Sequence, residues 1–489
     1  MPSVALPLAT FAGVIFEIPH RTALFLLLAA TVLYAFLYLG AEPYHVGDES
    51  RGGINALEML TNGDWVNLHY MGAPDEVRAK PPFLIWCISG SMALFGKTAF
   101  ALRFPSAVAI TLAFYVLFQL ITLYRSPGFA LVVGLVLLSV PGLVGWHVGR
   151  TGDFDALLLL FLLSGLLFVL RYLDFGHRWD MLPAGVFWGF AFLTKGLAMG
   201  ALVPGLTVYL LLTGRLGATL RDPRFWAGVG VFLLFPLFWF TVVQLYGATW
   251  EDPPYTGENV FERLIVHDIW ERFTRTDFEG RESTSRYDYI LYSLDKMFNV
   301  WNFAFFGFLL YGLYQWMLLR GKTLEWLRRR PLLLLSLSLW FPYAVILSLT
   351  TQALRQYIVP VLPFVGIATV FGFVYVHRRF PKVRYIFAGV LVFTLGRRLY
   401  EITHPRAEPP IVAVLPEIGA ADRVYVELDA LANDELYYVY LANQEGLTFN
   451  PPEDWFAPDY LIVRKDSSAL GERADRQVIF ETEEGLILR

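Results

Sequence analysis

Apolar residues run along this chain in blocks, not in alternation. A helix rising 1.5 Å per residue needs about 20 of them to cross the roughly 30 Å hydrocarbon core of a bilayer. Blocks near that length recur at 22–40, 102–123, 128–146, 155–172, 182–198, 200–213, 225–246, 299–319, 331–350, 357–376 and 384–399. They predict a polytopic α-helical membrane protein with about eleven transmembrane helices. The fifth and sixth are short, and Pro204 interrupts the pattern there. Pro82–Phe95 is apolar over only some 14 residues, so it is expected to lie in the membrane interface and not to span.

The polar loops set the orientation. Arg171–Asp180, Gly214–Arg224, Arg320–Arg330 and His377–Arg384 are short and rich in Lys and Arg. With eleven spans all four fall on one side, which the positive-inside rule makes the cytoplasm. The opposite side receives loops 41–101 and 247–299 and everything after residue 400. The first 400 residues thus form a transmembrane domain. Residues 401–489 follow a Pro-containing linker and read as a small soluble α/β domain. Strands are expected at Arg423–Leu428 and Tyr460–Val463, a helix at Asp434–Ala442, and a hairpin joining Gln477–Thr482 to Leu486–Arg489.

Composition agrees. The chain is 56% hydrophobic with a mean hydropathy of +0.49, whereas soluble domains hold about 45–50% apolar residues. Its net charge of −4 hides an asymmetry. Residues 401–489 carry seven Lys and Arg against eighteen Asp and Glu, a net of −11, and the first 400 carry +7. Nothing here suits nucleic acid. The single cysteine, Cys87, excludes an intramolecular disulfide and a cysteine metal cage.

Ionisable residues near a bilayer are costly and often functional, and here they crowd one side. Asp48 and Glu49, with Arg51, follow the first span; such an acidic pair can act as a general base or orient an acceptor, and it can equally be a helix cap with solvated charges. Lys80 stands before Pro81 and Pro82, where an ammonium suits a lipid phosphate or simply snorkels. Asp155 opens the fourth span, and a carboxylate at a helix N-terminus is also a good cap. Lys195 ends the fifth span at membrane depth. Arg355 and Tyr357 precede Pro360 and Pro363. Each signal alone is weak; five on one face of an apolar body are hard to explain as independent anchors.

Taken in order, these residues resemble the protein O-mannosyltransferase and lipid A aminoarabinose transferase superfamily of GT-C glycosyltransferases. The series is Asp48-Glu49 with Arg51, then Glu58-Met59-Leu60 and Gly63-Asp64-Trp65. Lys80-Pro81-Pro82 with Trp86, Leu94-Phe95-Gly96, Arg103 and Pro105-Ser106 come next. Asp155-Ala156-Leu157-Leu158, Phe192-Leu193-Thr194-Lys195-Gly196 and Tyr357 with Pro360 and Pro363 complete it. The resemblance implies inverting transfer of a sugar from a polyprenyl-phosphate carrier to a lipid A, glycolipid, glycan or protein acceptor. It implies an active site on the extracytoplasmic face of the cytoplasmic membrane.

Carried over, Asp48 activates or positions the acceptor, with Glu49 beside it and Asp155 as a second active-site carboxylate. Lys80, Arg51, Arg355, Lys195 and Tyr357 hold the donor phosphate. A phosphate leaves as a stable anion, so cations matter more than a strong acid. No cofactor is implied, since the lipid-linked sugar is a substrate, and a divalent metal is left open. Many aminoarabinose transferases have Glu before the Lys-Pro-Pro element, where this chain has Ala79; no bound zinc is therefore expected, with His267 left as a lone ligand. Trp250, Tyr255 and Trp270 in the 247–299 loop are expected to cover the site. The rival readings are a transporter or flippase of a lipid-linked sugar, which should show repeats or broken helices at mid-membrane, and a non-catalytic scaffold.

Overall fold

The computed structural model describes residues 17–75, 80–145, 147–248, 289–319, 323–350, 354–418, 423–427, 430–443, 447–449, 458–466, 476–481 and 485–489. Ala79, Trp250, Tyr255, His267 and Trp270 lie outside the described residues, as do Arg320, Lys322 and Gln352. The helices are α1 (His20–Phe36), α2 (Asp48–Asn62), α3 (Phe83–Phe95), α4 (Ala99–Thr122), α5 (Pro127–Leu138), α6 (Pro141–Val144), α7 (Asp155–Phe175), α8 (Met181–Lys195), α9 (Val203–Thr213), α10 (Leu216–Arg221) and α11 (Pro223–Tyr246). Beyond residue 288 come α12 (Tyr289–Phe298), α13 (Trp301–Leu319), α14 (Thr323–Arg328), α15 (Pro331–Leu349), α16 (Leu362–Arg379), α17 (Val383–Thr403) and α18 (Asn433–Ala442).

Among the described residues, six stretches are long and apolar enough to cross a membrane on their own: 99–122, 155–175, 181–213, 223–246, 331–349 and 355–379. Their outer faces are apolar too. Leu234, Leu237 and Phe238 on α11 and Leu310 and Met317 on α13 are all exposed, which fits helices whose surrounding solvent is lipid.

The stretch 181–213 is not one rod. At one end of the bundle Arg171 of α7 forms an ion pair with Asp180, just before α8, at 2.8 Å. At the other end Lys195, the last residue of α8, reaches Asp155, the first of α7, at 2.6 Å. The chain then turns through a 3-10 segment, Gly196–Leu202. On the way back, Tyr209 of α9 donates to Asp174 near the end of α7 at 3.0 Å. The fifth and sixth apolar blocks are thus two antiparallel helices, with Gly196 at φ +55° taking the left-handed turn.

Other boundaries differ from the sequence pattern. The third block, read as 128–146, is broken after Leu138, with one further helical turn, α6, at Pro141–Val144. Pro141 disfavours helical backbone at Val140, which is extended (ψ 149°). The tenth block, read from 357, starts as a 3-10 turn, Arg355–Val361, and becomes α-helical only at Leu362. Pro360 has no N–H to offer an α-helical ladder.

Helix α3 leaves and returns to the same end of the bundle. Lys80, before it, lies over the Phe154 ring, and Arg103, one turn into the next helix, binds Glu49 at the start of α2. Strands β1 (His69–Tyr70) and β2 (Ala73–Pro74) pair antiparallel between α2 and α3, and the C-terminal residues form a five-stranded sheet whose order is β4-β3-β5-β7-β6. Its strands are β3 (Val424–Val426), β4 (Leu447–Phe449), β5 (Tyr460–Arg464), β6 (Val478–Glu481) and β7 (Gly485–Leu488), and β6 and β7 pair as an antiparallel hairpin. Strand β4, parallel to β3, has no counterpart in the sequence reading. Helix α18 of this sheet domain packs on α2. Tyr437 lies so close to Gly53 that a Cβ there would meet its Cζ at 2.5 Å, and Tyr440 donates to Glu58 at 2.5 Å.

Candidate active site

The site is built on five pieces of chain at one end of the bundle: the start of α2, Lys80 before α3, the 147–155 segment, the end of α8 and the 3-10 turn before α16. Gly47 precedes α2 at φ +93°, a conformation open to glycine, and brings the chain round so that Asp48 and Glu49 occupy the first turn. The helix dipole favours carboxylates there.

Asp48 and Glu49 then diverge. Glu49 is 1% exposed. Its carboxylate accepts from Arg103 Nε at 2.7 Å and Nη2 at 3.0 Å, from His45 N–H at 2.8 Å and from Gly152 N–H at 3.0 Å. The Arg103 guanidinium also donates to the carbonyls of Leu39, Glu42 and Pro43. Glu49 is therefore saturated inside the protein, tying the exit of α1, the start of α2, α4 and the 147–155 segment together. Asp48 is only partly buried. One oxygen of Asp48, one ring nitrogen of His147 and one oxygen of Asp153 all lie within 4.8 Å of one another.

Arg51 is likewise turned inward. It donates through Nε and Nη2 to Asp75, at 2.9 and 2.7 Å, while its guanidinium lies 3.9 Å from the Tyr70 centroid. Asn55 donates to the same carboxylate at 2.9 Å. Burial opposes the charge on Arg51, but Asp75 outweighs it and raises the guanidinium above its ordinary pKa.

The 147–155 segment carries the rest. His147 has φ +66°, a left-handed conformation that costs a non-glycine residue of order 1 kcal/mol or more and is typical of constrained sites. Its Nδ1 is 3.4 Å from Asp153 Oδ2. Burial alone would depress the imidazole pKa, yet Asp153 outweighs it, with help from Asp48 and Asp155, and holds it above the usual value. Burial pushes Asp153 up, and the charge of the facing His147 prevails and holds it low. Phe154, between the two aspartates, has Lys80 Nζ 4.8 Å from its ring centroid. Asp155 pairs with Lys195 at 2.6 Å, their side chains 5% and 12% exposed. Lys195 also lies 5.6 Å from the Tyr357 centroid. Tyr357 is anchored through its carbonyl, which accepts from Tyr343 at 3.0 Å; Arg355 opens the same turn.

Of the residues singled out in the sequence, the structure brings together Asp48, Asp155, Lys80, Lys195 and Tyr357 around the 147–155 segment. Glu49 and Arg51 flank Asp48 with their own charges neutralised by Arg103 and Asp75. His147 and Asp153 were not singled out; the one hint was a second aspartate two residues before Asp155. No zinc was expected and a divalent metal was left open; Asp48, His147 and Asp153 are, among the described residues, the group with the chemistry and spacing to hold a divalent ion. A protonated His147 paired with Asp153 is the competing arrangement, since a metal needs the neutral imidazole.

Known proteins agree with this architecture. Residues 79–240 match the family model for dolichyl-phosphate-mannose-protein mannosyltransferase. The undecaprenyl phosphate-alpha-4-amino-4-deoxy-L-arabinose arabinosyl transferase of Aeromonas salmonicida is 32% identical over 39% of this chain, and the match spans 35% of that relative's length. The crystal structure of ArnT from Cupriavidus metallidurans bound to undecaprenyl phosphate superposes with a TM-score of 0.68 at 18% identity, covering 95% of this chain and 97% of that one. The oligosaccharyltransferase of Archaeoglobus fulgidus gives a TM-score of 0.52 at 12% identity, covering 88% and 64%. The chain is a polytopic membrane protein with the GT-C fold.

Proposed function

We propose that this protein is an inverting glycosyltransferase that moves a sugar from a polyprenyl-phosphate carrier to an acceptor at the extracytoplasmic face of the cytoplasmic membrane. The observation that carries the reading is the convergence of Asp48, Lys80 and the Asp155–Lys195 pair on one segment, 147–155. The matches to transferases named for undecaprenyl-phosphate and dolichyl-phosphate sugars support the donor class.

In this reading the acceptor hydroxyl attacks the anomeric carbon from the side away from the phosphate. The new carbon–oxygen bond forms as the bond to the phosphate oxygen breaks. The phosphate takes the electron pair and stays on its lipid, and the hydroxyl proton passes toward Asp48. Lys80, with Arg355 and Tyr357 on the facing turn, holds the phosphate and stabilises the charge it gains. Asp155 and Lys195 set the depth and polarity of the site. Glu49 and Arg51 act as positioning residues that hold Asp48 at its helix start. A flippase would need its polar groups near mid-membrane; these gather at helix ends.

Eleven crossings fit the alternating helix directions: α1, α4, α5, α7, α8, α9, α11, α13, α15, α16 and α17. The positive-inside rule then puts Arg171, Arg215, Arg328, Arg329, Arg330, Arg378 and Arg379 in the cytoplasm, and the active site and C-terminal domain outside. The test is transfer from labelled polyprenyl-phosphate sugars to a membrane extract in nanodiscs. Wild type should move label, and Asp48→Asn should lose about 100-fold or more with an unchanged melting temperature. Equal donor binding by both proteins without transfer by either would overturn the assignment.

A further inference from the structure

The end of the bundle opposite Asp155 holds an apolar cavity of about 170 Å³ between α13, α14, α15 and α16. Its walls include Leu309, Trp326, Leu333 and Leu337, with Tyr311 and Tyr375 at its polar side. Tyr311 is already satisfied, accepting from Gln315 Nε2 at 2.8 Å. An apolar space of this size stays dry and accepts a group as large as benzene, so its natural content is hydrocarbon.

Two arginines stand on aromatic rings beside it. The Arg330 guanidinium lies 3.9 Å from the Trp326 centroid and donates to the Trp326 carbonyl at 2.9 Å. Arg125, in the α4–α5 connection, lies 4.6 Å from the centroid of Phe371, one turn before Tyr375 on α16. Arg378 follows on the same helix. Among the described residues no carboxylate pairs with any of the three. Arg125 and Arg330 are both partly buried. Burial lowers each guanidinium's pKa, and the charges of its arginine neighbours, Arg378 included, lower it further. Arg330 on the cavity wall, with Arg125 and Arg378 close enough to act on one another's charge, forms a surface complementary to one anionic head group with an attached chain.

We propose that this cavity and the arginines Arg125, Arg330 and Arg378 form a binding site for an anionic glycerophospholipid of the leaflet opposite the active site, a short segment of one acyl chain in the cavity and the phosphate on the guanidiniums. Basic pockets between transmembrane helices are the usual setting for such head groups. The proposal needs the membrane placement of the chain and is independent of the catalytic reading.

Native mass spectrometry of the full chain in detergent tests it, using phosphatidylglycerol, phosphatidylcholine and inorganic phosphate as separate probes. The expected result is preferential binding of phosphatidylglycerol, weakened roughly 30-fold in Arg125→Gln/Arg330→Gln at about a fivefold loss per arginine. Gly312→Leu provides a second arm. Gly312 lines the cavity, and a Cβ built there meets nothing within 4 Å. The larger side chain should fill the space, keep the fold and also weaken the lipid. Equal affinity for the two lipids, no change in the double variant, or competition by millimolar inorganic phosphate with undiminished binding in Gly312→Leu would overturn it. Melting curves of each variant distinguish lost binding from lost fold.

Discussion

Glu49→Ala separates the two roles open to an acidic residue beside Asp48. In the structure Glu49 takes two bonds from Arg103 and two from backbone N–H groups, and both side chains of the pair are 0% exposed. A hydrogen bond to a charged group contributes about 1.5–3 kcal/mol. Removing one partner of a buried pair costs about 3–5 kcal/mol, because the other charge is left without compensation. Arg103 keeps its three carbonyl acceptors, so the lower part of that range applies, about 3 kcal/mol. The assay is a double-mutant cycle with Arg103→Leu, read by denaturant unfolding in micelles and by sugar transfer at saturating donor. A coupling energy of about 2 kcal/mol or more is expected, with the double variant more stable than either single change would suggest. Turnover should fall in proportion to folded protein. A Glu49→Ala protein as stable as wild type but 100-fold slower would refute the positioning role and return Glu49 to the chemistry.

Three further outcomes follow from the geometry. Lys195→Met leaves Asp155 buried without its cation and should cost about 3–5 kcal/mol in unfolding experiments, most of which Lys195→Met/Asp155→Asn should recover. Tyr440→Phe removes the donor to the buried Glu58 carboxylate and should loosen the α18–α2 contact by about 1–3 kcal/mol, seen as faster hydrogen exchange in α18. Burial raises the pKa of Glu58 above its ordinary value despite its bonds to Tyr440 and Gly72. Its contribution to that contact is therefore full below the ordinary glutamate pKa and declines as pH rises through the raised folded value; protection of α18 that grows with pH across this range would contradict it. Asp153→Asn removes the charge holding the His147 pKa up, so the ring should titrate lower by NMR, and an unchanged midpoint would show that the pair does not govern it.

The apolar blocks by themselves determined the class of solvent and most of the helices, because crossing a bilayer imposes a length and a composition that any sequence must display. The hairpin at the C-terminus was legible for a similar reason, its alternation being a local property of β6 and β7. Helix ends were less legible. Pro141 and Pro360 displaced them by several residues, since the conformation next to a proline depends on what the neighbouring backbone can bond to. The carboxylate-bearing positions Asp48 and Asp155 and the cations Lys80 and Lys195 could be singled out because charge near lipid is costly wherever it falls.

What those charges face was decided only by tertiary structure. Asp48 and Glu49 are adjacent and chemically near-identical, yet one opens toward His147 and Asp153 and the other is sealed by Arg103, more than fifty residues away. Arg51 read as a phosphate clamp until Asp75 came to lie against it. His147 gave no signal of its own, because its strained backbone and its partner arise from the path between α6 and α7. Burial and pairing of an ion depend on the elements that close around it, and these are brought together by helix packing across long separations in the chain.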